Sequence, residues 1–239
     1  MKTHCTRTWV LLRKDAADMV KNPNMLIMLL LPVLFSWIYT FIGAETGEHL
    51  TPAAVLTLAT LMTLALVPLS LLSTAIAEEK EKNTLRTLML TGVTAGEFLT
   101  SKALATELSI AVVSTAAFFV AGAPVTALAP YLAASLLGAL PLLLLGAVIG
   151  IASRDQMSTG IAAAPLALLM MLPAMFGAAG GVIGSIARLM PTTAVLDLVY
   201  AAMGLQALDL VSSMLVLAVW SVLSAAVFSL IYKKKRLDN

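Results

Sequence analysis

Apolar runs of about twenty residues alternate with short polar stretches along the whole chain, and twenty helical residues are what hydrocarbon of about 30 Å requires. Six such runs are legible, at 25–44, 52–77, 103–121, 131–152, 160–183 and 210–232. Before the first run, Trp9, Leu12, Ala16, Met19 and Val20 recur at helical spacing. Arg13, Lys14, Asp15, Asp18 and Lys21 fill the positions between them, so residues 1–22 read as an amphipathic helix lying in the headgroup layer. Asn22 and Pro23 then restart the chain as N-cap and first helical residue of the first span. After the fifth run, Pro191 and Thr192-Thr193 precede Val195, Leu198, Val199 and Ala202. That apolar face predicts a short helix within 184–209, at or dipping into the outer leaflet.

Composition agrees with this pattern. The 239 residues are 60% hydrophobic and 12% charged, against about 25% charged in a soluble domain. The fold class is therefore an all-α integral membrane domain with six spans over 1–239. The net charge of +2 gives no sign of nucleic-acid binding, and the single cysteine, Cys5, excludes an internal disulfide. The first apolar run is too long for the core of a cleavable leader. Fourteen of the fifteen lysines and arginines fall on one side of the six spans, and only Arg188 falls on the other. The positive-inside rule then places both termini in the cytoplasm of a multi-pass cell-membrane protein.

The densest charge lies in "AIAEEKEKNTLRTLMLTGVTAGEF", residues 75–98. Here the second span continues as a helix into the cytoplasm, with Glu78 and Lys82 one turn apart for an ion pair. Asn83 is placed to N-cap a short helix over 84–90 that carries Leu85, Leu88 and Met89 on one face. Thr91-Gly92 closes it, and Thr94-x-x-Glu97 is a capping box that starts the third span. A mere connection needs only a few polar residues. Three apolar side chains on a charged frame predict a docking element for a soluble partner.

The stretch "AEEKEKNTLRTLMLTGVTAGEFLTSKAL" resembles the coupling-helix region of type-2 ABC transporter permeases, at Glu79, Glu81, Thr84, Leu85, Leu88, Gly92 and Lys102. The six spans, the N-terminal "elbow" helix and the helical segment before the last span are similar to the same family, small bacterial exporters of antimicrobial peptides and drugs among them. The resemblance implies that the short helix inserts into a separate ATPase, with Glu78, Glu79, Glu81, Thr84, Leu85, Arg86, Leu88 and Met89 forming the coupling surface. It further implies two ATPase subunits that bind ATP and Mg²⁺, and a second copy or homologue of this permease.

No G-x-x-x-x-G-K-[ST] occurs, so no cofactor is expected in this chain and ATP hydrolysis falls to the partner. His4 and His49 lie outside the spans on opposite sides, and no H-E-x-x-H or G-x-S-x-G is present. Glu78-Glu79 resembles the paired glutamates of membrane-embedded prenyl-type proteases, without that family's arginine and histidines. An ATP-independent carrier and a non-transporting scaffold or sensor are the alternative functions. A carrier normally places ionisable groups at mid-membrane, and Glu107 is the one acidic residue within a span. It is expected to pair with Lys102 or Arg86, or else to help gate the cytoplasmic end. Met170, Met171, Met175 and Phe176, beside small residues, are candidate path residues for an amphipathic or lipophilic substrate. Ordinary bundle packing is the other reading of them.

The topology has a direct test. Single cysteines at 49 and 235 should label from opposite sides of the membrane, and labelling from one side refutes the six-span arrangement.

Overall fold

In hydrocarbon every backbone amide needs a partner within the chain, and a helix supplies one for each residue. The computed structural model describes residues 2–46, 50–176, 180–207 and 209–235, and no strand occurs among them. Helix α1 (Lys2–Lys21) precedes α2 (Pro23–Thr46), the first span. The second span is built from α3 (Pro52–Leu66), a π turn at Val67–Leu71, and α4 (Leu72–Glu81). A short α5 (Thr84–Leu90) leads to the third and fourth spans, α6 (Ala95–Val120) and α7 (Leu128–Ala152). Then come α8 (Gln156–Phe176), α9 (Gly181–Arg188), α10 (Pro191–Ala202) and α11 (Leu210–Lys235). Six of these helical segments are long and apolar enough to cross a membrane, and α9 and α10 form a pair bent by 81°.

The second span is the axis of the molecule. Leu56, Leu64, Leu69, Leu71, Leu72 and Ile76 are fully buried, with α2, α6, α7, α8 and α10 packed around it. Its helix is not uniform, as the hydropathy pattern had implied. Pro68 has no N–H and would clash with the preceding turn of a regular α-helix. The chain absorbs it in the π turn, where the Leu72 N–H reaches back five residues to the Val67 carbonyl. The turn lies against Gly146 of α7, where a Cβ would fall 2.0 Å from the Pro68 carbonyl oxygen. One turn further along α7, a Cβ at Gly150 would meet Ile76 at 2.8 Å. Small residues thus let the second and fourth spans approach backbone to backbone.

Two boundaries differ from the sequence reading. The fifth span begins at Gln156 instead of 160, because Asp155 caps it: the Ser158 N–H donates to Asp155 Oδ1 at 2.8 Å. Its described part ends at Phe176, and the apolar residues Val182 and Ile183 belong to α9. Gly180 and Gly181 both have positive φ where α9 begins, so Val182 and Ile183 fall in a separate helix although the apolar pattern runs on. Helix α10 carries the expected apolar face. Val195, Leu198 and Val199 are buried, with Val195 seated over Gly138 of α7. Thr192 Oγ1 donates to the Met170 carbonyl at 2.6 Å, so α10 dips into the bundle.

Helix α1 turns one face to the bundle and another outward. Leu11, Asp15 and Met19 form the buried stripe against α6 and α2, while Trp9 is 66% exposed and Val20 also faces outward. The signal for this was the i, i+4, i+8 spacing, masked by a carboxylate at its centre. His49 and Arg236 lie outside the described residues, as do the side chains of His4 and Cys5.

Gly146→Ala should lower the thermal unfolding midpoint in detergent, by the ~1–3 kcal/mol typical of overpacking. Gly160→Ala, with open space around the added methyl, should leave the midpoint unchanged or raise it. Equal effects of the two changes would refute the close approach at Pro68.

Candidate functional site

The charged stretch builds a projecting turn of helix at one end of the bundle. Helix α4 ends at Glu81, and Asn83 reverses the chain through a left-handed conformation with φ 56°. Its side chain makes no cap bond, in contrast to the role expected from sequence. Thr84 instead ties the start of α5 to α4, donating its hydroxyl to the Glu79 carboxylate and, at 3.2 Å, to the Glu79 carbonyl. Helix α5 closes on Gly92, at φ 82°, with Gly92 N–H bonded to the Met89 carbonyl and Val93 N–H to that of Leu88. This is a Schellman motif. The capping box follows: the Glu97 N–H donates to Thr94 Oγ1 at 3.2 Å and the Thr94 N–H to Glu97 Oε2 at 2.8 Å.

Beneath α5 lies a buried ion cluster. Lys102, 3% exposed, donates to Asp15 at 3.0 Å and to Glu79 at 3.5 Å. Ser101 Oγ donates to the other Asp15 oxygen at 2.7 Å, and Lys14 to Glu79 at 2.5 Å. The Lys102 ammonium also stands 5.1 Å from the centre of the Phe98 ring. Partial burial works against the charge on Lys14, but its bonds to Glu79 and Asp18 prevail and hold its pKa above the ordinary value. Asp15, Asp18 and Glu79 approach one another closely enough to suggest a metal site. The ammonium groups of Lys14 and Lys102 already occupy the cation's place, so the residues do not fit a metal.

Two adjacent residues hold the next loop. Lys80 donates to the carbonyls of Gly150 (3.3 Å), Ile151 (2.9 Å) and Ser153, at the C-terminal end of α7. Glu81 accepts from the backbone N–H and the side-chain amide of Gln156, both at 3.2 Å, at the N-terminal end of α8. Each charge faces the helix pole of opposite sign. On the other side, Asn22 donates to Glu78 at 3.0 Å, Lys82 forms the expected i, i+4 pair with Glu78, and Arg7 donates to the Gly92 carbonyl at 2.9 Å. The end of the second span therefore touches α1, α5, α6, α7 and α8 through polar bonds.

The remaining predicted residues scatter. Leu85, Leu88 and Met89 are half-buried against the chain's own core, whereas Arg86 is exposed and Leu90, at the tip, is 81% exposed. Glu107 pairs with neither Lys102 nor Arg86, and its buried Oε2 has no hydrogen-bond partner among the described residues. The Lys102 charge is already consumed by Asp15, which sequence reading had assigned to the polar face of α1. Met170 is buried in the core, Met171 half-buried, and Met175 and Phe176 point outward.

Removing one partner from a buried ion pair strands the other, at about 3–5 kcal/mol. Lys102→Met should therefore lower the unfolding midpoint sharply. The double change Lys102→Met with Asp15→Leu should recover a substantial part of the loss, and additive losses would refute the pairing.

No curated protein matches the chain. Residues 51–231, from the start of the second span to the end of the sixth, match the family model described as ABC-2 family transporter protein. A bundle of six candidate spans, with an ion-clamped helix projecting from one end, is thus the structure of a chain that belongs to the ABC-2 transporter family, as the multi-pass permease of an ABC transporter.

Proposed function

We propose that this permease exports an amphipathic or lipophilic substrate, such as a peptide antibiotic, a drug or a lipid-linked molecule. Two copies, or a copy and a homologue, pair in the cell membrane and engage two ATPase subunits that bind ATP and Mg²⁺. Both termini and α5 lie in the cytoplasm. Helix α5 is the coupling helix and α1 the elbow.

The observation that carries this reading is the contrast between α5 and its base. No residue of α5 is buried, and an exposed leucine stands at its tip. Its base is held by charged bonds to α1, α6, α7 and α8. A push on α5 reaches α7 through Lys80 and α8 through Glu81, while Glu79 and Lys102 carry it to α6 and α1. A loop that only joined two spans would need none of these bonds. The outward faces of α2 and α8, which like that of α11 are little buried within one chain, supply the contact with the second copy. Met171, Met175 and Phe176 then line the path at that contact, where an adaptable apolar surface suits an amphipathic substrate. An ATP-independent carrier accounts for the spans but not for the clamped projecting helix.

Leu90 and Arg86 give the cleaner test, because Leu85 and Leu88 also pack the chain's own core. Arg86→Glu with Leu90→Asp should leave the unfolding midpoint unchanged. It should cut affinity for the ATPase about 10–100-fold, from the ~1.5–3 kcal/mol of lost leucine burial. Co-purification and ATP hydrolysis by the complex measure it. Undiminished binding and hydrolysis would refute α5 as the coupling element.

A further inference from the structure

A cavity of about 550 Å³ opens between the end of α1, the start of α2 and the end of α4, with Lys102 of α6 at its back and Gln156 of α8 at its edge. Lys14, Lys21, Lys82 and Lys102 bring four positive charges to its wall. Asp15, Asp18, Glu78 and Glu79 bring four negative ones, so the formal charge is zero. The deep part is self-satisfied, since Lys102, Asp15 and Glu79 saturate one another. The mouth is not. Lys21 has no ion-pair partner among the described residues, and Asp18 is half-exposed, engaging Lys14 through one oxygen.

The height of the cavity matters as much as its charge. The first span starts at Pro23 and the second ends at Glu81, and both ends border the cavity, which places it in the headgroup layer. From this rim an exposed apolar row, Ile27, Leu30 and Leu34, runs down α2 at spacings of three and four. The positive end of the α2 dipole also faces this layer, although Pro23 has no N–H and the Asn24 N–H already donates to Asn22 Oδ1 at 3.0 Å, so the dipole and Lys21, not these two amides, attract an anion there.

We propose that this cavity binds the zwitterionic headgroup of an aminophospholipid. Its phosphate lies at Lys21 and the first turn of α2, its primary ammonium donates to Asp18, and its acyl chains follow Ile27, Leu30 and Leu34. A purely anionic headgroup leaves Asp18 facing negative charge. A choline headgroup carries the right charges but has no N–H to donate to the carboxylate. The site is thus selective for ethanolamine. It rests on the cavity, its level at the span ends and the apolar row of α2, and does not depend on what the permease transports.

The test uses the purified full-length chain with equimolar phosphatidylethanolamine, phosphatidylcholine and phosphatidylglycerol of identical acyl chains, read by native mass spectrometry. One phosphatidylethanolamine should be retained per chain, with a preference of about tenfold from a charge-assisted hydrogen bond. Asp18→Asn, at the solvent-facing rim, should remove that preference, and Lys21→Gln should weaken retention of all three lipids alike, while the unfolding midpoint stays unchanged in both. No preference in the unmodified chain overturns the site whatever the variants do, and so does a preference that survives Asp18→Asn or retention that Lys21→Gln leaves unchanged. Glycerophosphoethanolamine binding as tightly as the whole lipid would overturn the lipid as occupant.

Discussion

A lysine ammonium cannot be left unpaired in a protein interior, where removal from water costs several kcal/mol per ion. Lys102 is such a lysine, and meeting its need organises one end of the permease. Asp15 must come in from α1, which fixes the rotation of that helix and turns Trp9 and Val20 outward. Glu79 must come from the end of the second span, which sets where α4 stops. Thr84, bonded to the same carboxylate, then aims α5. One charge thus fixes the positions of three helices that span nearly ninety residues of sequence. Apolar packing alone would leave each of them free to slide or rotate, because burial has no direction.

The rest of the bundle is set by a different constraint, the distance between backbones. Gly146 and Gly150 bring α7 against the second span at the place where Pro68 forces a π turn. The proline and the glycine are complementary defects. The first displaces a carbonyl toward α7, and the second removes the Cβ that the carbonyl would strike. Gly138 performs the same service for Val195 of α10 at the opposite end of α7.

These two constraints meet at Lys80 and Glu81. The glycine-mediated approach brings the C-terminal end of α7 within reach of the second span, and Lys80 caps its carbonyls. Glu81 reaches the first residue of α8. Opposite charges on adjacent residues meet opposite helix poles across a three-residue loop, Ser153 to Asp155. Such bonds resist both sliding and separation, and this is what a transmitted displacement requires. An exposed apolar tip on an anchored base is the form that the proposed coupling role calls for. The ABC-2 membership of the chain supplies the context in which that form has a use.

Much of this was legible in the sequence. The six spans, the Pro23 start, the Glu78–Lys82 pair, the Gly92 closure and the Thr94–Glu97 capping box all follow from residues within a turn or two of one another. So does the basic asymmetry, which is a sum over loops. Hydropathy differed from the structure at Val182 and Ile183, which belong to α9 behind two positive-φ glycines, Gly180 and Gly181, because an apolar run does not record such a break. It also passed over Pro68, because an apolar proline does not interrupt an apolar run. What only the tertiary structure decided was pairing at long range. Asp15 and Lys102 are separated by 87 positions, and on α1 a carboxylate two positions from Arg13 reads as part of a solvated face. Lys80 looked like one more charge in a cluster until α7 ended beside it, and Glu107 looked paired until Lys102 proved to be taken. Periodicity reports which residues share a face of one helix. Which helix that face meets, and which charge waits there, depends on the crossing of elements far apart in sequence, and no local pattern records it.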